Sequence, residues 1–162
     1  MPSRRAFMSS ISLGSIAGLA GCSAFDETPD QGSIRLVNDQ VVPHEISLQV
    51  VDVGSRQGNA PGEVAGSVNV VAAQRNLSLT VVLPPGETKT YSDVFTEPVW
   101  YAIQFEMDDN EPVRADPRMA YNPSNSVGDC NSGSFVEVSV SDDGNFWWEV
   151  VGIGDNGLCH SY

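Results

Sequence analysis

Three cysteines, two histidines and a surplus of carboxylates are the side chains with which this chain could do chemistry. Cys22 closes the run Leu19-Ala20-Gly21-Cys22, where small neighbours leave the backbone accessible and only the thiol can form a thioether. Cys130 and Cys159 are then left as an even pair, which in an oxidising compartment reads as a disulfide. His44 lies in Val42-Pro43-His44-Glu45, and His160 follows Cys159. The acids come in pairs such as Asp108-Asp109 and Asp142-Asp143, which on an acidic surface read as solvated. Asp108-Asp109-Asn110-Glu111 offers oxygens to calcium, but its spacing is not that of an EF-hand loop and Pro112 takes a ligand position. The chain has no Gly-x-Ser-x-Gly elbow, no His-Glu-x-x-His, no Walker loop and no dinucleotide fingerprint. The expectation is therefore a protein that is not an enzyme, with no cofactor and no metal.

The N-terminal residues read as an address. Ser3-Arg4-Arg5-Ala6-Phe7-Met8 resembles the twin-arginine export motif, with Arg4 and Arg5 as the paired cations. The stretch from Phe7 to Ala20 is diluted by Ser9, Ser10, Ser12, Gly14, Ser15 and Gly18, too short and polar for a permanent span of about 20 apolar residues. Leu19-Ala20-Gly21-Cys22 resembles the lipobox of prolipoproteins. These resemblances imply that residues 1–21 are removed, that Cys22 is lipidated, and that the protein is held by its acyl chains at the extracytoplasmic face of the cell membrane. Each buried CH₂ contributes about 0.8 kcal/mol, so two chains anchor where one does not. Residues 22–32 then form a polar, acidic tether, and residues 33–162 a single domain.

Composition narrows the partners. Formal charge is −13, from 8 Lys and Arg against 21 Asp and Glu, and loss of residues 1–21 removes two arginines but no acid. Such a surface repels phosphate backbones, so nucleic acid is excluded as a partner. Lys89 is the only lysine, and this acidic, lysine-poor pattern resembles proteins of extremely halophilic archaea. Dense carboxylates hold water and cations while high salt screens their repulsion.

Val42-Pro43-His44 resembles the first copper-ligand region of halocyanin-type cupredoxins. Blue copper needs two histidines and a thiolate, usually with a weak axial ligand. Here the second histidine is His160, and its neighbour Cys159 is expected in the disulfide, so most of the site is missing. A sandwich of cupredoxin-like topology without the metal fits, with an electron-transfer cupredoxin using His44 and His160 as the alternative.

The elements that position these groups have period two. Ile46, Leu48 and Val50 alternate with Ser47 and Gln49, and Leu77, Leu79, Val81 and Leu83 with Ser78 and Thr80; Val99, Tyr101, Ile103, Phe105 and Met107 make the longest stripe, with Gln104 and Glu106 on the opposite face; and Val136, Val138 and Val140 alternate with Glu137 and Ser139. Ser141-Asp142-Asp143-Gly144 signals a hairpin between the last of these and residues 145–151. Pro84-Pro85-Gly86 marks another turn. With Ile34 to Val37, Val64 to Val71 and Thr88 to Phe95, this predicts an all-β domain: an antiparallel β-sandwich of about seven or eight strands, immunoglobulin-like or cupredoxin-like. Residues 108–128 read as one long irregular connection. Trp147 and Trp148 should face opposite sides of their strand, where an outward ring could stack on a sugar or a partner protein. Asn76-Leu77-Ser78 is a glycosylation sequon. The functional expectation is a non-catalytic binding or envelope module with a protein or glycan partner; a carboxylate-dependent hydrolase would require two acids converging in a cleft.

Overall fold

Alternation becomes strand wherever one face of an extended segment can leave water while the other stays wetted. The computed structural model describes residues 28–109 and 118–160. Arg4, Arg5 and Cys22 lie outside the described residues, as do Asn110 and Glu111 of the acidic run. In chain order the elements are β1 (Ile34–Asn38), β2 (His44–Gly54), β3 (Arg56–Gln57), β4 (Val64–Ala65), α1 (Ala72–Arg75), β5 (Ser78–Leu83), β6 (Thr88–Tyr91), β7 (Trp100–Met107), β8 (Arg118–Tyr121), β9 (Ser134–Val140), β10 (Phe146–Gly154) and β11 (Gly157–His160). No helix among the described residues is long and apolar enough to cross a membrane.

One sheet runs β11-β10-β9-β1-β6, the other β5-β2-β7-β8, and β3 with β4 makes a small ribbon. The two sheets pack as an all-β sandwich around a shared apolar core. Ring contacts join them directly: Phe105 of β7 stacks on Trp148 of β10 with centroids 5.0 Å apart. Phe95 lies 5.1 Å from both Tyr101 and Tyr121. As alternation requires, Trp148 enters this core while its neighbour Trp147 stays half-buried on the other face.

Four features differ from the expected plan. β1 pairs in parallel with β9, while every other pairing in the two sheets is antiparallel. A parallel neighbour needs a long crossover, and here the whole second sheet lies between β1 and β9 in sequence. Residues 108–128 are not wholly irregular, because Arg118–Tyr121 adds β8 to the edge of β7. Beyond the hairpin at Ser141–Gly144, β10 continues to Gly154 and a second hairpin adds β11. Residues 64–71, by contrast, contribute only the two residues of β4, because Gly66 turns the chain at φ +81°.

Two buried polar side chains tie off groups where the sheets meet. Asn38 is fully buried, and its amide nitrogen donates to the carbonyls of Val42 (2.8 Å), Leu83 (3.1 Å) and Pro84 (3.1 Å). Its Oδ1 accepts from the Gln40 N–H at 3.0 Å. One side chain thus satisfies the loop after β1 and the turn after β5 together. Gln74 of α1 does the same for residues 94–101: it donates to the Val94 carbonyl and accepts from Thr96 N–H and from the Tyr101 hydroxyl at 2.7 Å. Burial pushes the Tyr101 phenol up to about 12, so it stays a donor.

Candidate binding cleft

Tyr121, the last residue of β8, begins the construction of the site. Its ring is buried and its hydroxyl donates to the Ser134 carbonyl at 2.6 Å, so the segment between them leaves the edge of one sheet and returns to the other. Residues 122–133 are held at many points. Ser124 N–H donates to Asn122 Oδ1 (2.9 Å), Ser134 N–H to the Pro123 carbonyl (3.0 Å), and Ser132 N–H to the Ile153 carbonyl (2.9 Å). Val127 and Cys130 exchange backbone bonds of 3.0 Å each.

The Cys130 and Cys159 sulfurs are at bonding distance, with Cα atoms 5.9 Å apart. This is the pairing that the even cysteine count suggested, and its second member sits on β11, opposite Gly152. Two glycines make room for it. A Cβ on Gly152 would lie 2.7 Å from Val127 Cβ and 2.9 Å from Cys130 Cβ, and one on Gly154 would lie 2.8 Å from Cys130 Sγ. The loop therefore lies directly on the backbone of β10.

Between this pinned loop and the edge of β8 there is a cleft of about 570 Å³. Its polar lining is Gln57, Asn122, Asn125, Ser126 and His160; Trp100 contributes an indole ring, and Tyr121, Val127 and Val150 apolar surface. No aspartate or glutamate lines it, in a chain that carries 21. Among the described residues, no side-chain hydrogen bond engages Gln57, Asn125, Ser126 or the Trp100 N–H.

Acids do converge elsewhere. Arg35, Glu137 and Glu149 line up across β1, β9 and β10, and His160 Nδ1 meets Glu149 Oε1 at 2.9 Å. Arg35 Nε lies 3.5 Å from Glu137 Oε2. Burial pushes the Glu137 carboxyl above the ordinary glutamate value; Arg35 and His160 oppose this, and Glu149 and Asp39 reinforce it. Each of the two acids thus has a basic side chain beside it on the sheet, Arg35 for Glu137 and His160 for Glu149. Glu149 orients His160 as a base is oriented in a hydrolase, yet among the described residues no hydroxyl or thiol bonds the other ring nitrogen. Ser126 lines the same cleft without such a bond.

The copper-like histidine is also spent. His44 Nδ1 meets Asp108 Oδ2 at 2.7 Å and Nε2 meets Gln40 Oε1 at 2.7 Å, leaving neither nitrogen for a metal. His44 is on one sheet and His160 on the other, and the Cys159 sulfur is in the bridge, so the three do not converge. Asp108 is likewise occupied, accepting the Glu45 N–H at 2.9 Å. No group of three or more metal-ligating side chains occurs among the described residues. Asn76 of the sequon is exposed and donates its amide to the Ala72 carbonyl, closing α1.

The chain matches no protein-family model, no curated protein and no solved structure. Its chemistry rests on its own geometry. The cleft was not legible as a motif: its polar lining comes largely from loop residues such as Asn122, Asn125 and Ser126, and nothing in the sequence singled out Trp100, the first residue of β7.

Proposed function

We propose that this chain is an exported protein held at the extracytoplasmic face of the cell membrane through lipid on Cys22, and that its β-sandwich is a non-catalytic module binding an envelope component in the cleft beside Cys130–Cys159. The observation that supports it is a cleft pinned by a disulfide and backbone bonds on both sides, lined by uncommitted amides and an indole ring. A preformed concave site with a few placed polar groups is what selective binding requires, since little order remains to be imposed when the ligand arrives. The His160–Glu149 pair at the rim lacks a bonded nucleophile, which favours binding over turnover. The resemblance of Arg4, Arg5 and the Leu19-Ala20-Gly21-Cys22 box to an export and lipidation address supports binding outside the cytoplasm.

The test has two arms. Full-length protein with Cys22→Ala should leave the detergent phase for the aqueous phase; unchanged partitioning would reject the anchor. Full-length protein carrying Ser126→Trp, which fills the cleft from an exposed position, should lose the envelope component that the wild type retains through salt extraction of membranes. Equal retention by both would reject the cleft as the binding site.

A further inference from the structure

Resting on the reading of this cleft as a binding site, we infer that its ligand is a short segment of uncharged glycan. The charge of the lining decides against the other classes. A cationic ligand would select carboxylates, of which the cleft has none despite their abundance elsewhere. An anionic ligand would approach a protein of formal charge −13 and find His160 as the one basic side chain in the lining, already matched to Glu149. A wholly apolar ligand would strip water from Gln57, Asn125 and Ser126 without replacing their hydrogen bonds, at a cost for each group.

Sugar hydroxyls both donate and accept, as do primary amides and serine hydroxyls, so each uncommitted group in the lining has a partner on such a ligand. The C–H faces of a pyranose need a flat apolar surface, and the Trp100 ring supplies one with an N–H at its edge. Trp147, the outward ring of the Trp147-Trp148 pair, does not line the cleft. Gln31 Nε2 donates to Ser124 Oγ at 3.1 Å, so the tether enters the domain against the same loop that walls the cleft.

Full-length protein in detergent would be applied to an array of neutral, sulfated and sialylated oligosaccharides, and the best neutral hit titrated by tryptophan fluorescence. Neutral oligosaccharides should bind. Asn125→Ala, at an exposed position, should weaken the hit about three- to tenfold, the size of one hydrogen bond. Trp100→Ala should weaken it about tenfold or more, and Trp147→Ala should leave it unchanged. Binding confined to acidic sugars, no neutral binding at all, or loss on Trp147→Ala but not Asn125→Ala would each overturn the inference. If the neutral sugars fail while Ser126→Trp still abolishes retention of an envelope component, the binding site stands and the ligand class is wrong. A peptide as the retained component would be that outcome.

Discussion

Glu137 and Glu149 stand directly opposite one another on the antiparallel pair β9 and β10. Like charges in that relationship are destabilising, and burial adds to the cost of ionising Glu137. Its folded-state pKa lies above its ordinary value of 4.5, so its contribution to stability is complete below pH 4.5 and is lost as pH rises through the folded value. Glu137→Gln should therefore stabilise the domain at pH 7 by about 0.5 kcal/mol, with loss of the Arg35 contact as the opposing effect. The gain should shrink toward pH 4. It should also shrink in molar salt, where the screening length falls from about 10 Å at 0.1 M to about 3 Å at 1 M. Thermal melts at two pH values and two salt concentrations measure both; a mutant less stable than wild type at pH 7 would mean that the Arg35 pair dominates.

The Cys130–Cys159 bridge closes a loop with a sequence separation of 29. In the chain-entropy model, closing such a loop stabilises the fold by about 3.5 kcal/mol. The double substitution Cys130→Ala with Cys159→Ala should lower the denaturant midpoint accordingly and raise amide exchange first in residues 122–133 and β11. Non-reduced digestion of the wild type should give one linked peptide pair; two alkylatable thiols in exported protein would contradict the pairing.

How much of this could be read in advance divides along the range of the interactions involved. The stripes at Ile46–Val50, Leu77–Leu83, Val99–Met107 and Val136–Val140 are local patterns, and all lie in strands or beside them. The turn at Ser141–Gly144 is local as well: Gly144 takes φ +85° and Ser141 exchanges bonds with Asn145. What escaped is non-local. The parallel seam of β1 and β9 joins segments about a hundred residues apart, and no alternation within either strand encodes it. Arg-Met-Ala-Tyr in β8 is four residues long, follows Pro117, and has only an edge to pair with. β11 depends on Gly157 at φ +125° and on the bridge. His44 meets Asp108 across 64 residues, and the cleft draws on loops whose Asn and Ser residues are indistinguishable in sequence from ordinary turn formers.

Asn38 discriminates between loss and reversal of a hydrogen-bond donor. Three carbonyls, of Val42, Leu83 and Pro84, share its amide nitrogen. Asn38→Ala should cost roughly 1–3 kcal/mol, since the carbonyls are left in a dry site without a donor. Asn38→Asp should cost more at pH 7, because a carboxylate presents only acceptors to those carbonyls. The difference should narrow in acid, where a protonated carboxyl regains one donor. Equal melting temperatures of the two variants at pH 7 would show that water reaches these carbonyls.

Asp108 sits where two demands coincide. Its backbone is left-handed at φ 52°, followed by Asp109 at φ 59°, a conformation that Asn adopts with less strain than most residues and Ala does not favour. Its carboxylate meanwhile takes the His44 ring and the Glu45 N–H, and Asp108 N–H returns a bond of 2.9 Å to the Glu45 carbonyl. Burial acts to raise the Asp108 carboxyl, but the hydrogen bonds from His44 and Glu45 and the His44 charge outweigh it, holding the group below its ordinary 3.8. A depressed carboxylate contributes stability that is present above the unfolded value and lost as pH falls through the folded one, so the loss belongs below pH 3.8. Asp108→Asn keeps the backbone preference and one acceptor while removing the charge. It should cost about 1 kcal/mol at pH 7, the contribution of a charged hydrogen bond reduced by solvent at a half-exposed group. Asp108→Ala should cost about 1 kcal/mol more, since it adds the strain of a left-handed alanine. Below pH 3.8 the wild type should converge on Asp108→Asn, whereas Asp108→Ala should stay below both. Urea titrations of the three proteins from pH 3 to pH 7 would show it, and a gap between wild type and Asp108→Asn that persisted unchanged to pH 3 would mean that the His44–Asp108 contact stabilises through shape and not through charge.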